Sequence, residues 1–149
     1  MSPRSLLALL LAGSAAFLAS AVHAGAATGD SPEAGGRPYG ANYKDMVLSI
    51  CISRAYESEK GASEDAASSA SALIDWTYYD LEHSPDEIES LVKKYLSRDY
   101  HNPLVEPAHK DIEFNLLKCL DLYHSKELAA QVKKFVAKPN RTYRQDHPK

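Results

Sequence analysis

Histidine and cysteine are the side chains that most often carry hydrolytic or metal chemistry, and this chain has six histidines and two cysteines. No histidine pair forms an HExxH motif, and none stands with a cysteine at the spacing of a zinc site. The chain also has no GxSxG motif and no glycine-rich phosphate loop. Asp75 and Asp80 would form a poor carboxylate pair, because residues five apart on a helix do not face each other. We therefore expect no catalytic site, no metal and no cofactor.

The first 24 residues have the pattern of a cleaved secretory signal peptide. Arg4 gives a positive start, an apolar stretch follows from Leu6 to about residue 21, and residues 22–24 offer small side chains to a signal peptidase. A membrane anchor is the alternative, but the apolar stretch is short and no positive stop-transfer cluster follows it. We expect cleavage after residue 24, no membrane attachment afterwards, and a secreted or periplasmic location.

Cys51 and Cys119 both fall in the apolar stripes of predicted helices. A catalytic thiol needs an exposed cysteine with a nearby base, so this placement disfavours one. Two cysteines in an oxidising compartment most simply form one disulfide, and two buried free thiols are the alternative. A bridge that closes so long a loop would stabilise the fold by about 4 kcal/mol.

Apolar residues recur at helical spacing through the rest of the chain, and no segment alternates as a strand would. The fold is therefore predicted to be all-α, a compact single domain of about five helices over residues 42–138. Residues 25–41 are predicted to be a flexible N-terminal arm, and residues 139–149 a polar, basic tail. The helices are predicted over residues 42–58, 63–81, 84–97, 111–124 and 125–136.

Capping residues and prolines predict where these helices begin. Ser63 is the expected N-cap of the second helix after a break at Gly61, and Ser84 to Glu87 (SPDE) predicts a capping box at the start of the third. Residues 98–107 are predicted to be a loop, because two of them precede proline. The fourth helix is apolar nearly all round, so we expect it to be buried on most sides and central to the fold.

Charge is unevenly distributed along the chain, whose formal net charge is −3. No lysine or arginine occurs between Lys60 and Lys93, whereas that span holds many acidic residues. We call the acidic residues around the turn between the second and third helices the acidic tip: Asp80, Glu82, Asp86, Glu87 and Glu89. Beside Trp76, Tyr78 and Tyr79, the acidic tip predicts a docking surface for a basic protein, the alternative being a solvated acidic face. Nucleic acid would be repelled by it.

Three uninterrupted stretches of the chain resemble the type VI secretion amidase immunity family. They are residues 75–80 (DWTYYD), 95–106 (YLSRDYHNPLVE) and 117–125 (LKCLDLYHS). With the first helix and Cys51, the resemblance covers about residues 42–143. It implies a small all-helical periplasmic protein that is not an enzyme and that protects its producer from a secreted peptidoglycan amidase, a papain-like Cys–His hydrolase. It also implies a homodimer that binds two effector molecules in a 2:2 complex.

The same resemblance implies how the amidase is inhibited. A helix and its flanking loop from one subunit plug the active-site groove of the amidase, and the other subunit assists. On this sequence, that role falls first to the third helix and its entry turn, and second to the loop that follows. The implied effector-binding residues are Glu82, His83, Asp86, Glu87 and Glu89, followed by Tyr100, His101 and Asn102. Two alternative functions stay open: an unrelated periplasmic helical binding or adaptor protein, and a wall-active enzyme.

Overall fold

The computed structural model describes residues 31–100 and 112–148 of the chain. Across these residues all regular structure is helical, with two isolated β-bridges and no strand, which confirms the all-α prediction. Over the same residues, none of the helices combines the length and the apolar composition needed to span a membrane. A 3-10 turn at Glu33–Gly36 precedes the helices α1 (Tyr39–Ala55), α2 (Lys60–Ile74), α3 (Ser84–Leu96), α4 (Asn115–Tyr123), α5 (Lys126–Phe135) and α6 (Tyr143–Asp146).

The first helix, α1, is the centre of the core, because α2, α3, α4 and α5 all pack against it. Tyr39, Tyr43, Met46, Val47 and Cys51 recur at helical spacing along α1 and are at most 1% exposed. With 17 residues, α1 offers the long surface on which the other helices assemble. The sequence predicted the fourth helix in this central position, and that prediction is wrong.

The packed part of the chain begins before the boundary that was predicted at residue 42. The backbone N–H groups of Tyr39 and Gly40 donate to the carbonyl groups of Arg141 (2.8 Å) and Pro139 (2.9 Å). A Cβ atom on Gly40 would lie 3.2 Å from the Pro139 carbonyl oxygen, so glycine permits this close approach. The 3-10 turn and the first turn of α1, which the sequence placed in a flexible arm, are therefore part of the packed domain.

The short helix α6 ties the predicted C-terminal tail to α1. The Tyr39 hydroxyl donates to Asp146 Oδ2 at 2.9 Å, and Arg141 Nε donates to Asp146 Oδ1 at 2.7 Å. The hydrogen bond from Arg141 holds the pKa of Asp146 below its usual value, and burial raises the pKa of Tyr39 to about 12. Because Asp146 is ionised at neutral pH, this contact weakens only when acid protonates the carboxylate.

Helix α2 differs from its prediction at both ends. It begins at Lys60, so that Gly61 and Ser63 lie inside the helix instead of marking a break and an N-cap. The Ser63 hydroxyl donates to the Ser53 carbonyl at 3.0 Å, which joins α2 to α1. The helix ends at Ile74, so the aromatic residues that follow lie outside it, and Tyr79 forms an isolated β-bridge with Val136.

Helix α5 agrees closely with its prediction. Ser125 is the N-cap, and its hydroxyl oxygen accepts a hydrogen bond from the Leu128 N–H at 3.0 Å. Leu128, Phe135 and Val136 are buried, and Val132 packs against the same core. The predicted apolar stripe is therefore the face that α5 buries.

The predicted disulfide between Cys51 and Cys119 is confirmed. Their Cα atoms lie 5.7 Å apart, a usual separation for bridged cysteines, and neither residue is exposed. The alternative of two buried free thiols is excluded, and the bridge joins α1 to α4.

Helix α4 is shorter and more exposed than predicted. It spans Asn115–Tyr123 and follows Phe114, whose φ of 53° is left-handed. Lys118, Cys119 and Leu122 are its buried residues. Four large apolar residues at its start and on its outer side are 39–48% exposed: Ile112, Leu116, Leu117 and Leu120. The prediction that this helix is buried on most sides is therefore wrong.

Candidate protein-binding site

The acidic tip is organised around the carboxylate of Asp80. Asp80 Oδ1 accepts hydrogen bonds from the backbone N–H groups of Glu82 and His83, each at 3.0 Å. The His83 ring Nδ1 lies 2.9 Å from Asp80 Oδ2. These bonds, led by the one from the His83 N–H, hold the pKa of Asp80 below its usual value. The turn between α2 and α3 is thus ordered by its own side chains, and it presents Glu82 and His83 in a defined position.

The start of α3 is anchored in the core by Ser84. This residue is fully buried, and its hydroxyl oxygen lies 2.8 Å from that of Tyr43 on α1. The Tyr43 hydroxyl donates to Gln131 Oε1 at 3.4 Å, so the Ser84 hydroxyl is the donor to Tyr43. Burial raises the pKa of Tyr43 to about 12, so Tyr43 keeps the proton that this chain of bonds needs. The predicted capping box is wrong, because the side chain that precedes α3 makes no cap bond and Ser84 faces the core.

Replacing Ser84 with alanine is expected to lower the free energy of unfolding by about 1–3 kcal/mol, because the Tyr43 hydroxyl loses its closest buried partner. Urea denaturation followed by circular dichroism measures this change. Ser90→Ala is the matched control: Ser90 is exposed on the same helix, and its replacement should change stability by less than about 0.5 kcal/mol. Equal stability of the two variants would contradict the anchoring role of Ser84.

Two carboxylates of the acidic tip are engaged within the protein. Glu87 Oε1 lies 3.0 Å from Lys134 Nζ on α5, and Glu89 Oε2 lies 3.4 Å from Arg54 Nε on α1. All four side chains are about half exposed, so each pair contributes at most about 1 kcal/mol. A basic partner would have to replace these pairs in order to use Glu87 or Glu89.

Glu82 and Asp86 are the open charges of the acidic tip. Both are exposed, and neither forms an ion pair with another residue of the described ranges 31–100 and 112–148. Leu81, which is 62% exposed, and Tyr78, which is 48% exposed, provide apolar surface near them in the chain. The tip therefore offers carboxylates together with apolar contact area, as protein-docking surfaces do.

An apolar cleft of about 360 Å³ opens between α1, α2 and α3, beside the start of α3. Its apolar lining includes Ile50, Ile74, Tyr79, Pro85 and Ile88. Arg54 and Glu89 also line the cleft, so an apolar hollow adjoins the charged side chains. A partner with basic and apolar side chains would find a site for both.

The aromatic residues near the tip serve mainly the fold. Tyr79 packs edge-on against the buried Tyr43 ring, with centroids 5.4 Å apart, and Trp76 is partly buried. The Trp76 carbonyl accepts a hydrogen bond from the buried Asn42 side chain at 3.0 Å. Of the three aromatic residues expected at the docking surface, Tyr78 is the exposed one.

The second group of predicted site residues lies at the other end of α3. Tyr100 follows the C-terminus of α3, and its hydroxyl donates to Asp121 at 2.5 Å. This bond raises the pKa of Tyr100. Because an α-helix rises 1.5 Å per residue, about 20 Å separates the two ends of α3, so Tyr100 is not brought to the acidic tip. His101 and Asn102 lie outside the described residues.

A buried lysine positions the C-terminal end of α3, and sequence reasoning missed it. Lys118 is 6% exposed, and its Nζ donates to the Leu96 carbonyl (3.2 Å) and to Asn115 Oδ1 (3.3 Å). A cation suits the carbonyl end of a helix because of the helix dipole. The sequence feature that could have indicated this buried residue is a single lysine within a predicted apolar helix.

Two observations bear on metal-binding and nucleophilic side chains among the described residues. No three side chains among His, Cys, Asp and Glu lie close enough there to hold a metal ion. The cysteine sulfurs are joined in the disulfide, so neither is available as a thiolate nucleophile. What the arrangement can do is bind, through an ordered acidic turn beside apolar surface.

Comparison with known proteins gives two kinds of match. The profile of the family Tai4, type VI secretion system amidase immunity protein, matches residues 41–132. A solved structure from Serratia marcescens, from work on new type VI-secreted toxins and self-resistance proteins, is similar with a TM-score of 0.72 and 32% identity, over 83% of this chain and 97% of that one. The Tae4/Tai4 effector–immunity system of Salmonella typhimurium is similar with a TM-score of 0.60 and 25% identity, over 70% and 96%. No curated protein matches the sequence.

Proposed function

Since the chain belongs to the type VI secretion system amidase immunity family, we propose that it acts in the periplasm by covering the active site of a peptidoglycan amidase effector. It is an immunity protein against such an effector and not an enzyme. The producer is thereby protected from the effector of its own cells and of sister cells. Membership of this family also excludes the alternative function of a wall-active enzyme.

The observation that carries the proposed mechanism is the pair of open carboxylates on an ordered turn. Glu82 and Asp86 are exposed beside apolar surface, and the Asp80 bonds and the Ser84 anchor hold the turn that bears them. Such a surface needs little ordering when it binds, so less conformational entropy is lost. Its charge steers a basic partner, and its apolar surface supplies contact area. Occlusion then requires only that substrate be kept from the thiol and imidazole of the amidase.

The proposed binding residues fall into two groups by their internal contacts. Glu82 and Asp86 lead, because neither carboxylate has an ion pair among the described residues that binding would break. His83 lies beside them, with its ring on the Asp80 carboxylate. Glu87 and Glu89 would first have to leave Lys134 and Arg54. Tyr100, His101 and Asn102 remain the second group of proposed effector-binding residues.

Location and assembly are further parts of the proposal. We propose that residues 1–24 are a signal peptide that is cleaved on export to the periplasm, and that the protein is a homodimer binding two effector molecules in a 2:2 complex. The buried Cys51–Cys119 disulfide supports the location, because structural disulfides form in oxidising compartments.

A reconstitution with the cognate amidase effector tests the proposal. The two proteins should co-purify, and cleavage of peptidoglycan fragments by the effector should stop at one immunity protein per effector. Light scattering on the purified complex should give a 2:2 mass. An effector that stays fully active in a stable complex would contradict occlusion and would favour the adaptor reading. Absence of any complex would contradict the effector partner itself.

A further inference from the structure

A hollow opens between the 3-10 turn, the segment that follows α2, and the short helix α6. We call it the α6 pocket. It has a volume of about 530 Å³, and its lining includes Gly35, Trp76, Tyr143, Arg144 and His147. The tyrosine and histidine rings stack with their centroids 4.1 Å apart and form an aromatic wall. The volume is in the range of ligand pockets, so a side chain of a partner can enter it.

Two hydrogen-bond donors in the lining of the α6 pocket have no acceptor among the described residues. The indole Nε1–H of Trp76 donates to none of them, and the Arg144 guanidinium makes neither a hydrogen bond nor an ion pair with them. Every buried side-chain nitrogen and oxygen of the described part of the chain has a partner, so this indole N–H is open to solvent. The pocket therefore presents a cation and a neutral donor that an incoming ligand can use.

The two donors lie near the same point of the pocket wall. A Cβ atom on Gly35 would be 3.7 Å from Trp76 Nε1 and 3.7 Å from Arg144 Nε. Because both nitrogens are so close to one point, the two oxygens of one carboxylate can accept from both at the usual hydrogen-bond length of about 2.9 Å. Hydrogen bonds from a guanidinium to a carboxylate are also among the strong ones.

The backbone that bears Arg144 is ordered by contacts of its own. The Thr142 hydroxyl accepts from the Gln145 N–H at 3.2 Å, and Gln145 Oε1 accepts from the Thr142 N–H at 3.0 Å. Asp146 in the same turn accepts from the hydroxyl of Tyr39 on α1. A pocket whose backbone is fixed in this way loses less entropy when a ligand binds.

Tyr78 joins the α6 pocket to the acidic tip. The Tyr78 hydroxyl lies 3.2 Å from His147 Nε2 in the pocket lining. Trp76 in the pocket and Asp80 in the tip are four residues apart, so their Cα atoms are separated by at most about 14 Å. A protein interface of ordinary size extends farther than this, so a protein bound at the tip reaches the pocket.

We infer that the α6 pocket binds a carboxylate side chain of the amidase effector, beside the basic surface that the acidic tip contacts. The inference rests on the proposed function and adds to it a second contact of opposite charge. A carboxylate satisfies both donors of the pocket, whereas a basic group would be repelled by Arg144. Two neighbouring sites of opposite charge fix the orientation of the effector, because a rotated partner would place like charges together.

Trp76 is the single tryptophan of the chain, so its indole N–H resonance reports on the α6 pocket alone. In nuclear magnetic resonance spectra of the ¹⁵N-labelled protein, unlabelled cognate effector should shift this resonance. Sodium acetate, used as a carboxylate probe, should also shift it, whereas sodium chloride at the same ionic strength should not. Arg144→Gln should abolish the shift caused by acetate. A resonance that responds equally to acetate and chloride would overturn the carboxylate assignment.

Affinity for the cognate effector, measured by surface plasmon resonance, tests the occupant of the pocket. Arg144→Gln should weaken binding by at least about 10-fold, and Arg144→Lys should restore part of the loss because it returns the charge without the planar fork. Lys126→Gln is the matched control: it removes one charge from an exposed residue at the start of α5, outside the pocket, and should bind as the wild type does. Circular dichroism and thermal unfolding establish that the variants are folded.

The outcomes separate this inference from the proposed function. If the folded Arg144→Gln variant binds the effector as tightly as the wild type, the α6 pocket is not part of the contact, whereas the proposed function stands. If the wild type forms no complex with the effector, the proposed function is refuted and the occupant of the pocket with it. The acetate titration still decides in that case whether the pocket binds carboxylates.

Discussion

Replacing Cys51 and Cys119 with alanine is expected to lower the free energy of unfolding by about 4 kcal/mol. The bridge joins residues 68 positions apart, and the entropy of closing such a loop in the unfolded chain accounts for about 4 kcal/mol. Besides Cys119, the buried residues of α4 are Lys118 and Leu122. For a domain of this size the loss corresponds to a fall of about 10–20 °C in the thermal midpoint.

Three samples test the contribution of the disulfide: the oxidised wild type, the reduced wild type and the double alanine variant. Reductant should lower the thermal midpoint of the wild type toward that of the variant and leave the variant unchanged. The reduced wild type also controls for the volume lost in the alanine side chains. Hydrogen exchange should accelerate most over Asn115–Tyr123. A wild type whose midpoint is the same with and without reductant would refute the prediction.

The predictions that succeeded depend on neighbours in sequence or on composition. The N-cap at Ser125 and the apolar stripe that follows it describe α5 completely, because both signals lie within the helix. Pro85 correctly indicated the start of α3 through its fixed φ. The disulfide followed from counting cysteines and from the expected compartment.

The predictions that failed depend on contacts between distant residues. Ser63 and Ser84 have the type and spacing of N-caps, but their hydroxyl groups bond to Ser53 and Tyr43 on α1. Gly61 was read as a break, yet it lies in α2 with nothing within 4 Å of the place of a Cβ atom. An exposed glycine costs a helix only about 1 kcal/mol, and packing against α1 outweighs this.

Helix α4 shows a limit of hydrophobic periodicity as a signal. A helix that is apolar on most sides is expected to be buried on most sides, but the pattern does not show which of those sides the rest of the chain covers. The buried face of α4 meets the core, whereas Leu116, Leu117 and Leu120 stay exposed. A burial prediction from periodicity therefore fails for a helix that the rest of the chain covers on one face.

The sequence predicted the acidic tip as a cluster of charge, but it did not predict which of its carboxylates form ion pairs. Its carboxylates follow one another closely in sequence, so their clustering was visible directly. The ion pairs of Glu87 and Glu89 were not visible, because Lys134 and Arg54 are 47 and 35 residues away along the chain. Among the residues of the acidic tip, Glu82 and Asp86 are thus the exposed carboxylates that form no ion pair within the described residues.

Reversing both open charges, as Glu82→Lys/Asp86→Lys, is expected to weaken binding of the amidase effector by at least about 100-fold at low salt. The change removes two attractive carboxylates and places two cations against a basic partner, which slows association and destabilises the complex. Because both side chains are exposed and form no ion pair within the described residues, the free energy of unfolding should change by less than about 1 kcal/mol. Glu87 is left intact, since its reversal would also break the pair with Lys134.

Surface plasmon resonance at low and high salt, with the immunity protein immobilised, measures this effect. Glu57→Lys/Asp65→Lys is the matched control, because it makes the same change of net charge on exposed residues away from the tip that also form no ion pair within the described residues. The control should bind nearly as the wild type does, and the difference between the wild type and the tip variant should shrink as salt rises, because salt screens exposed charges. If the tip variant and the control bind equally at low salt, long-range net charge and not the position of Glu82 and Asp86 governs recognition. That result would move the inhibitory contact away from the start of α3.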